Sequence, residues 1–292
     1  MLRLTLPTGS LEPFTLKLFE EADLPVRRPS ERDYNATIDD PRFASVKFLR
    51  PPEIPHAVAG GHFDLGLCAN HSIRDARADV VEAMDLGPGG RAGGSKVRIV
   101  LAVPSDRGWR SVADLPDGVR VATELPNLAA DFFTAHGVRA VITFSHGATE
   151  AKIPELADAI VELTETGSSL RRAGLVILDE LVSSSLKLIA GHGTWADPAK
   201  RQAIGEITTL LGGVLQARGK VLIKLNVPAA RLDDVIRALP AMKAPTVSQL
   251  FGGDYYAVET VAVKANVNLL IPELKKLGAE DILELPISKI VP

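Results

Sequence analysis

Cysteine is almost absent: Cys68 is the only one in 292 residues. A single thiol excludes an internal disulfide and any cysteine-rich metal site, and it fits a reducing, cytoplasmic compartment. An excess of positive charge is missing too. The 33 basic and 36 acidic residues are interspersed and leave a formal charge of -3, so no basic stripe exists to neutralise a nucleic-acid backbone, and nucleic acid is not an expected partner. No apolar run approaches the roughly 20 residues of a membrane-spanning helix, and no membrane partner is expected. The N-terminus, Met1-Leu2-Arg3-Leu4-Thr5-Leu6-Pro7, has too short an apolar run before Pro7 for a secretory signal. The six histidines lack ligand spacing. A metal ion is therefore expected to arrive with a substrate.

What the chain does have is a 46% hydrophobic fraction and enough length for two or three domains. The stretch from Asp158 to Leu170 reads as a buried strand, a polar turn and a helix start. Ala159, Ile160, Val161 and Leu163 supply the strand, and Gly167 allows the positive φ of a sharp turn. Ser168 or Ser169 can cap the helix, and a phosphate can take the place of that cap. Free N–H groups, the helix dipole and the hydroxyls of Thr164, Thr166, Ser168 and Ser169 would then hold it. Asp158 and Glu162 read as two carboxylates beside this cradle, as the hydroxyls of a sugar phosphate would require; the alternative is a plain turn with solvated charges.

Leu2 to Leu6, Pro7-Thr8-Gly9-Ser10 and Leu11 to Ala22 form a strand, glycine loop and helix, which places Gly9 as a possible ligand contact. Arg27 to Arg42 is a polar loop or hairpin from which Arg32 could reach an anion. Val46 to Leu49 leads into a short helix with prolines at its start and Gly60-Gly61 after its end. The strand Phe63 to Cys68 follows and ends in a small loop, Ala69-Asn70-His71. Glu150 to Ala157 reads as another short helix before Asp158. Both units thus run helix, aspartate, strand and small polar loop, which suggests two α/β lobes presenting strand ends to a shared cleft. Lys96 and Arg98 alternate on the strand that opens the second lobe and are candidates for a polyphosphate, with snorkelling as the other reading. His146 is a lone loop histidine with the titration range of an acid/base group.

Val119 to Thr123 and Val138 to Phe144 are further strands; Leu175 to Ser183 and Ser185 to Ala190 read as strands returning to the first lobe. Pro198 to Gln216 is a long amphipathic helix. From Lys220 onward the order is βαββαβ, a ferredoxin-like module. The expected organisation is a two-lobed region at 1–212, with one lobe at about 1–90 and 180–212 and the other at about 91–179, and a separate module at 213–292.

These residues resemble a known family, the long form of ATP phosphoribosyltransferase. The resemblance covers the whole chain. It rests on Leu49-Arg50-Pro51-Pro52-Glu53-Ile54-Pro55 with Phe63-Asp64-Leu65-Gly66-Leu67, on Ala122-Thr123-Glu124-Leu125-Pro126-Asn127-Leu128, and on the loop from Asp158 to Leu170. At the C-terminus Asn226-Val227-Pro228, Ala244-Pro245-Thr246-Val247 and Leu277-Gly278-Ala279 are similar to that family's histidine-sensing domain. The resemblance implies a two-lobed periplasmic-binding-protein-like catalytic region and transfer of a phosphoribosyl group from phosphoribosyl pyrophosphate (PRPP) to N1 of ATP, with Mg2+ carried by the substrate. It implies the first step of histidine biosynthesis, L-histidine as feedback inhibitor, and a homo-oligomer, dimer or hexamer.

By the same resemblance Thr164, Glu165, Thr166, Gly167, Ser168 and Ser169 would hold the 5′-phosphate, and Asp158 and Glu162 would act at the ribose as catalytic residues. Gly9, Arg32, Asp64, Lys96 and Arg98 would serve the nucleotide and polyphosphate, and Asn226 and Thr246 the bound histidine. The family's first loop usually carries a lysine and an arginine around its glycine, where Thr8 and Ser10 stand here. That departure leaves two other readings open: a related transferase with another nitrogenous acceptor, and a silent regulatory subunit or ligand sensor.

Overall fold

The structure, a computed structural model, describes residues 1–88, 97–240, 242 and 244–292. The chain divides into two compact units, Met1–Thr208 and Thr209–Pro292. In the first unit β1 (Leu2–Pro7) buries Leu2, Leu4 and Leu6 completely, and α1 (Glu12–Glu21) follows a 3-10 turn at Gly9–Leu11. The polar stretch after α1 is a hairpin of β2 (Val26–Arg27) and β3 (Asn35–Ile38), and β3 pairs onward with β4 (Phe43–Leu49). Next come α2 (Glu53–Ala59), β5 (Leu65–Ala69), α3 (Asn70–Asp75) and β6 (Val81–Gly87). β6 is not among the strands expected from sequence, because its apolar residues are interrupted by Glu82 and Asp85. A Cβ on Gly66 would stand 2.7 Å from a Val58 methyl and 2.8 Å from one of Ile54. Glycine in β5 is what lets α2 lie directly on the sheet.

The second lobe contains β7 (Val97–Pro104), β8 (Val119–Thr123), α4 (Pro126–Ala135), β9 (Ala140–Phe144), β10 (Ala159–Thr164), α5 (Ser168–Arg172) and β11 (Leu175–Ser184). Then β12 (Leu186–Ala190) rejoins the first sheet, and α6 (His192–Ala196) and α7 (Pro198–Ala217) follow. The sheet orders are β2-β3-β4-β1-β5-β12-β6 and β11-β7-β10-β8-β9.

Three expectations are corrected here. β11 does not return to the first lobe: it pairs antiparallel with β7 from Leu175↔Pro104 to Ser184↔Val97, so the crossover comes at Ser185. The segment from Glu150 to Ala157 is a 3-10 turn at Thr149–Lys152 followed by irregular chain, since Pro154 has no N–H to continue a helix. Asn70 and His71 are the first residues of α3 rather than a loop.

Polar contacts between α3 and α4 also join the lobes. Asp75 of α3 accepts a hydrogen bond from the Leu128 N–H at the start of α4 (2.9 Å), its carbonyl accepts one from the Asn127 side chain (2.8 Å), and Arg77 pairs with Asp131 at 2.6 Å.

The second unit is built on β13 (Lys220–Pro228), in which Val221, Ile223, Leu225 and Val227 are buried and the residues between them are not. With α8 (Leu232–Ala238), β14 (Thr246–Gln249), β15 (Tyr255–Val263), α9 (Val267–Lys276) and β16 (Glu280–Pro286) it forms an antiparallel sheet of order β14-β15-β13-β16. Val235, Leu270 and Leu274 of the two helices share one core with the buried face of β13. This is the ferredoxin-like arrangement.

Candidate functional site

A cavity of about 1490 Å³ lies between the two lobes of the first unit. Its walls are the ends of the strands: Thr8 to Ser10 after β1, Leu49 and Arg50 after β4, Ala69 and His71 after β5, Glu124 after β8, Phe144 to His146 after β9, and Leu163 to Thr166 with Ser168 and Ser169 after β10. Ligands of open α/β sheets bind at such carboxyl ends, where loops expose backbone N–H groups.

The loop after β10 is shaped by Gly167, whose φ of 71° lies in the left-handed region. Its N–H donates to Thr164 Oγ1 at 2.8 Å, and Thr166 Oγ1 donates to Ser168 Oγ at 3.1 Å. Gly167 itself occupies the N-cap of α5, so neither Ser168 nor Ser169 caps the helix, and the Ser168 N–H donates to Thr166 Oγ1 at 3.4 Å. The hydroxyls of Thr164 and Thr166 therefore shape the loop, and Ser168 and Ser169 at the helix start line the cavity.

Of the residues singled out from sequence, Gly9, Thr164, Glu165, Thr166, Ser168 and Ser169 line the cavity. Glu162 and Gly167 are not on its wall. Burial raises the Glu162 pKa, the Thr149 hydroxyl hydrogen-bonds the carboxylate in opposition, and the nearby Glu124 and Glu150 charges push the pKa further up.

Asp158 is elsewhere. It precedes β10 at the far end, about 20 Å along the strand from Thr164 at roughly 3.3 Å per residue, and Arg120 grips both its oxygens at 2.8 and 3.0 Å. That pairing holds its pKa below the usual carboxylate range. Asp64 repeats the arrangement at the start of β5. It is buried, accepts from Arg3 at 3.0 Å, Lys200 at 2.8 Å and Thr194 at 3.0 Å, and faces away from the cavity end. Burial alone would push its carboxyl up, but these hydrogen bonds outweigh that and hold it well below the usual range. The two aspartates that mark the similar units in the sequence are thus staples at the strand starts. In each, one arginine of the neighbouring strand binds the carboxylate through its backbone N–H and its side chain together.

Arg32 is exposed and outside the cavity wall, Val97 lines the wall where Arg98 does not, and Arg98 reaches Glu180 at 3.5 Å. Lys96 lies outside the described residues. Among the described residues the cations that line the cavity are Lys47, Arg50 and Arg172. Each had a signal in the sequence: Lys47 alternates with buried Val46 and Phe48, Arg50 stands where β4 ends, and Arg172 follows Ser168 by one helical turn. His71 also lines the cavity; burial pushes its pKa down to about 4, and its Nδ1 lies 2.7 Å from Ser184 Oγ. In the second unit Asn226 donates to Asp281 at 3.0 Å, while Thr246 pairs with Glu259 across the sheet.

Comparison with known proteins decides what this architecture is. A family model described as ATP phosphoribosyltransferase matches residues 50–213. An ATP phosphoribosyltransferase of Desulforudis audaxviator is 46% identical over all of this chain and 99% of that protein. The chain belongs to the ATP phosphoribosyltransferase family. A second model, of the C-terminal domain of HisG, matches residues 217–289, and so the long form of the family is present. The Pelotomaculum thermopropionicum ATP phosphoribosyltransferase is 43% identical, again over the full chain and 99% of that protein. Among solved structures, an ATP phosphoribosyl transferase (HisG:HisZ) complex from Thermotoga maritima superposes with a TM-score of 0.61 at 24% identity, covering 72% of this chain and 96% of that one. That likeness is one of fold and agrees with the two-lobed α/β architecture of the first unit.

Proposed function

We propose that the cavity of the first unit transfers a phosphoribosyl group from PRPP to N1 of ATP, releasing pyrophosphate, as the first step of histidine biosynthesis. The observation that carries this reading is the helix start beyond Gly167, with Thr164, Thr166, Ser168 and Ser169 on the wall of a cavity that also presents Lys47, Arg50 and Arg172. The 5′-phosphate lies on the loop from Thr164 to Ser169, with Glu165 beside it. The N1 lone pair attacks the ribosyl C1′, the N1–C1′ bond forms, and the C1′–O bond breaks with its electron pair leaving on pyrophosphate. Positive charge develops on the sugar and negative charge on the leaving group, so the protein contributes by orientation and by fixed charges. The three cavity cations replace those missing from the Thr8-Gly9-Ser10 loop, which favours ATP over another acceptor.

Among the described residues no group of three or more histidine, cysteine, aspartate or glutamate side chains could hold a metal ion. Mg2+ enters with the polyphosphate substrate. The second unit binds L-histidine as a feedback inhibitor near Asn226 and Thr246 on the sheet face away from α8 and α9, and the chain works as a cytoplasmic homo-oligomer, a dimer or hexamer. Pyrophosphate release that requires ATP and PRPP together, and falls when histidine is added, is the expected result; release with another acceptor but not ATP would overturn it.

A further inference from the structure

Aromatic side chains are scarce, at 5% of the chain. Yet among the described residues of the first unit the only Phe, Tyr or Trp side chains that stand largely exposed are Tyr34, at 66%, and Phe144, at 50%, and both line the cavity. Phe144 is the last residue of β9, and its ring stands 4.8 Å from the imidazole of His146 in an edge-to-face pair, with His146 also on the cavity wall. The backbone beneath the pair is pinned. Ser145 between them is fully buried, its N–H donates to the Thr123 carbonyl at 2.7 Å, and its Oγ lies 2.6 Å from Lys152 Nζ and 3.0 Å from Thr149 Oγ1. Two rings are thus displayed on a fixed turn, with Phe144 denied to the core.

An exposed ring in a cavity has its strongest use against another flat ring, since stacking is tolerant of the partner's edge groups and needs little ordering of the side chain. Of the two substrates, only the nucleotide has one. The position agrees with the chemistry. β9 is separated from β10 by β8 alone, and the register sets Phe144 level with Thr123 and Val161; at about 4.8 Å between strands and about 3.3 Å per residue, Phe144 stands about 10 Å across the sheet and about 10 Å along it from Thr164, about 14 Å in all. A gap of that size takes a phosphorylated pentose together with the flat ring joined to its C1′, the phosphate on the loop and the ring on Phe144.

Resting on the proposed ATP reaction, we infer that the Phe144–His146 corner is the platform on which the adenine of the acceptor stacks, and that it sets the acceptor's affinity. It is tested with full-length wild type and the variants F144A, F144L, F144Y, H146A and Y34A, by initial rates of pyrophosphate release with each substrate varied in turn and by calorimetric titration with ATP and with PRPP. F144A and F144L raise KM and Kd for ATP on the order of 10- to 100-fold, from the usual worth of one base stacked on an aromatic ring, while values for PRPP stay within about twofold; F144Y restores ATP binding. H146A gives a smaller loss in the same direction. The inference is overturned if F144L binds ATP as wild type does, if the loss falls equally on PRPP, or if Y34A alone carries the ATP effect. The ATP titration reads the platform even where wild type releases no pyrophosphate, so failure of the proposed reaction and failure of the platform give different results.

Discussion

Single residues divide into those that shape the cavity and those that hold the strands behind it. Gly167 belongs to the first kind: a Cβ there would adopt a left-handed φ and stand 3.2 Å from an Arg171 guanidinium nitrogen and 3.3 Å from an Ile177 methyl. Gly167→Val should therefore distort the turn and weaken PRPP by about tenfold or more in a calorimetric titration, with the second unit still folded; unchanged affinity would count against the loop. Asp64 belongs to the second kind. Asp64→Asn leaves Arg3 and Lys200 without their carboxylate and should cost about 2–4 kcal/mol in denaturant melts, the lower part of the range because both cations are partly solvated.

The sign with pH follows from its lowered pKa. The stabilisation is complete above the unfolded carboxyl value near 3.9 and drains away as pH falls below it toward the folded value. Wild type should lose more stability than Asp64→Asn between about pH 4 and pH 3; equal losses would mean that Asp64 is not held ionised. Sequence marks both aspartates correctly as a repeated feature but cannot show which end of the strand they occupy relative to the ligand. The arginines that claim them, Arg3 and Arg120, lie 61 and 38 residues away.

At the scale of elements, the strand, turn and helix around Gly167 is legible because a buried run, a glycine and hydroxyl residues fall within one window. β11 is not, because an apolar strand can pair with either sheet, and its partner β7 is fixed only by tertiary contacts. The cavity cations were hidden for a similar reason: Lys47 and Arg172 gain meaning only when β4 and α5 converge on one space. The contact of α3 with α4 is likewise invisible in sequence, since Asp75 meets Leu128 across 53 residues. Burial raises the Asp75 pKa while the Leu128 and Asn127 hydrogen bonds oppose that rise, and the carboxylate serves as a cap supplied by the opposite lobe. Asp75→Ala should lower stability by about 1 kcal/mol, the usual worth of a helix cap. It should also raise KM for ATP and PRPP together, because the lobes jointly form the cavity. A change confined to one substrate would show that Asp75 does not set their mutual placement.

The whole molecule separates a cavity-bearing unit from a ferredoxin-like one, and the βαββαβ order of the latter is readable from alternation alone, as in Val221, Ile223, Leu225 and Val227. Its role is not readable from the fold, which hosts many functions. The joint substitution Asn226→Ala and Thr246→Ala should relieve histidine inhibition while leaving KM for both substrates within about twofold, because it removes polar groups from the open sheet face and leaves the core intact; inhibition at the wild-type histidine concentration would place the effector elsewhere. The central claim, that this cavity holds the sugar phosphate on the turn after β10, is tested most directly by a crystal structure of the full chain with PRPP. The 5′-phosphate is expected within hydrogen-bond distance of backbone N–H groups between Thr164 and Leu170; PRPP bound in the cavity with its 5′-phosphate away from that turn would overturn the assignment.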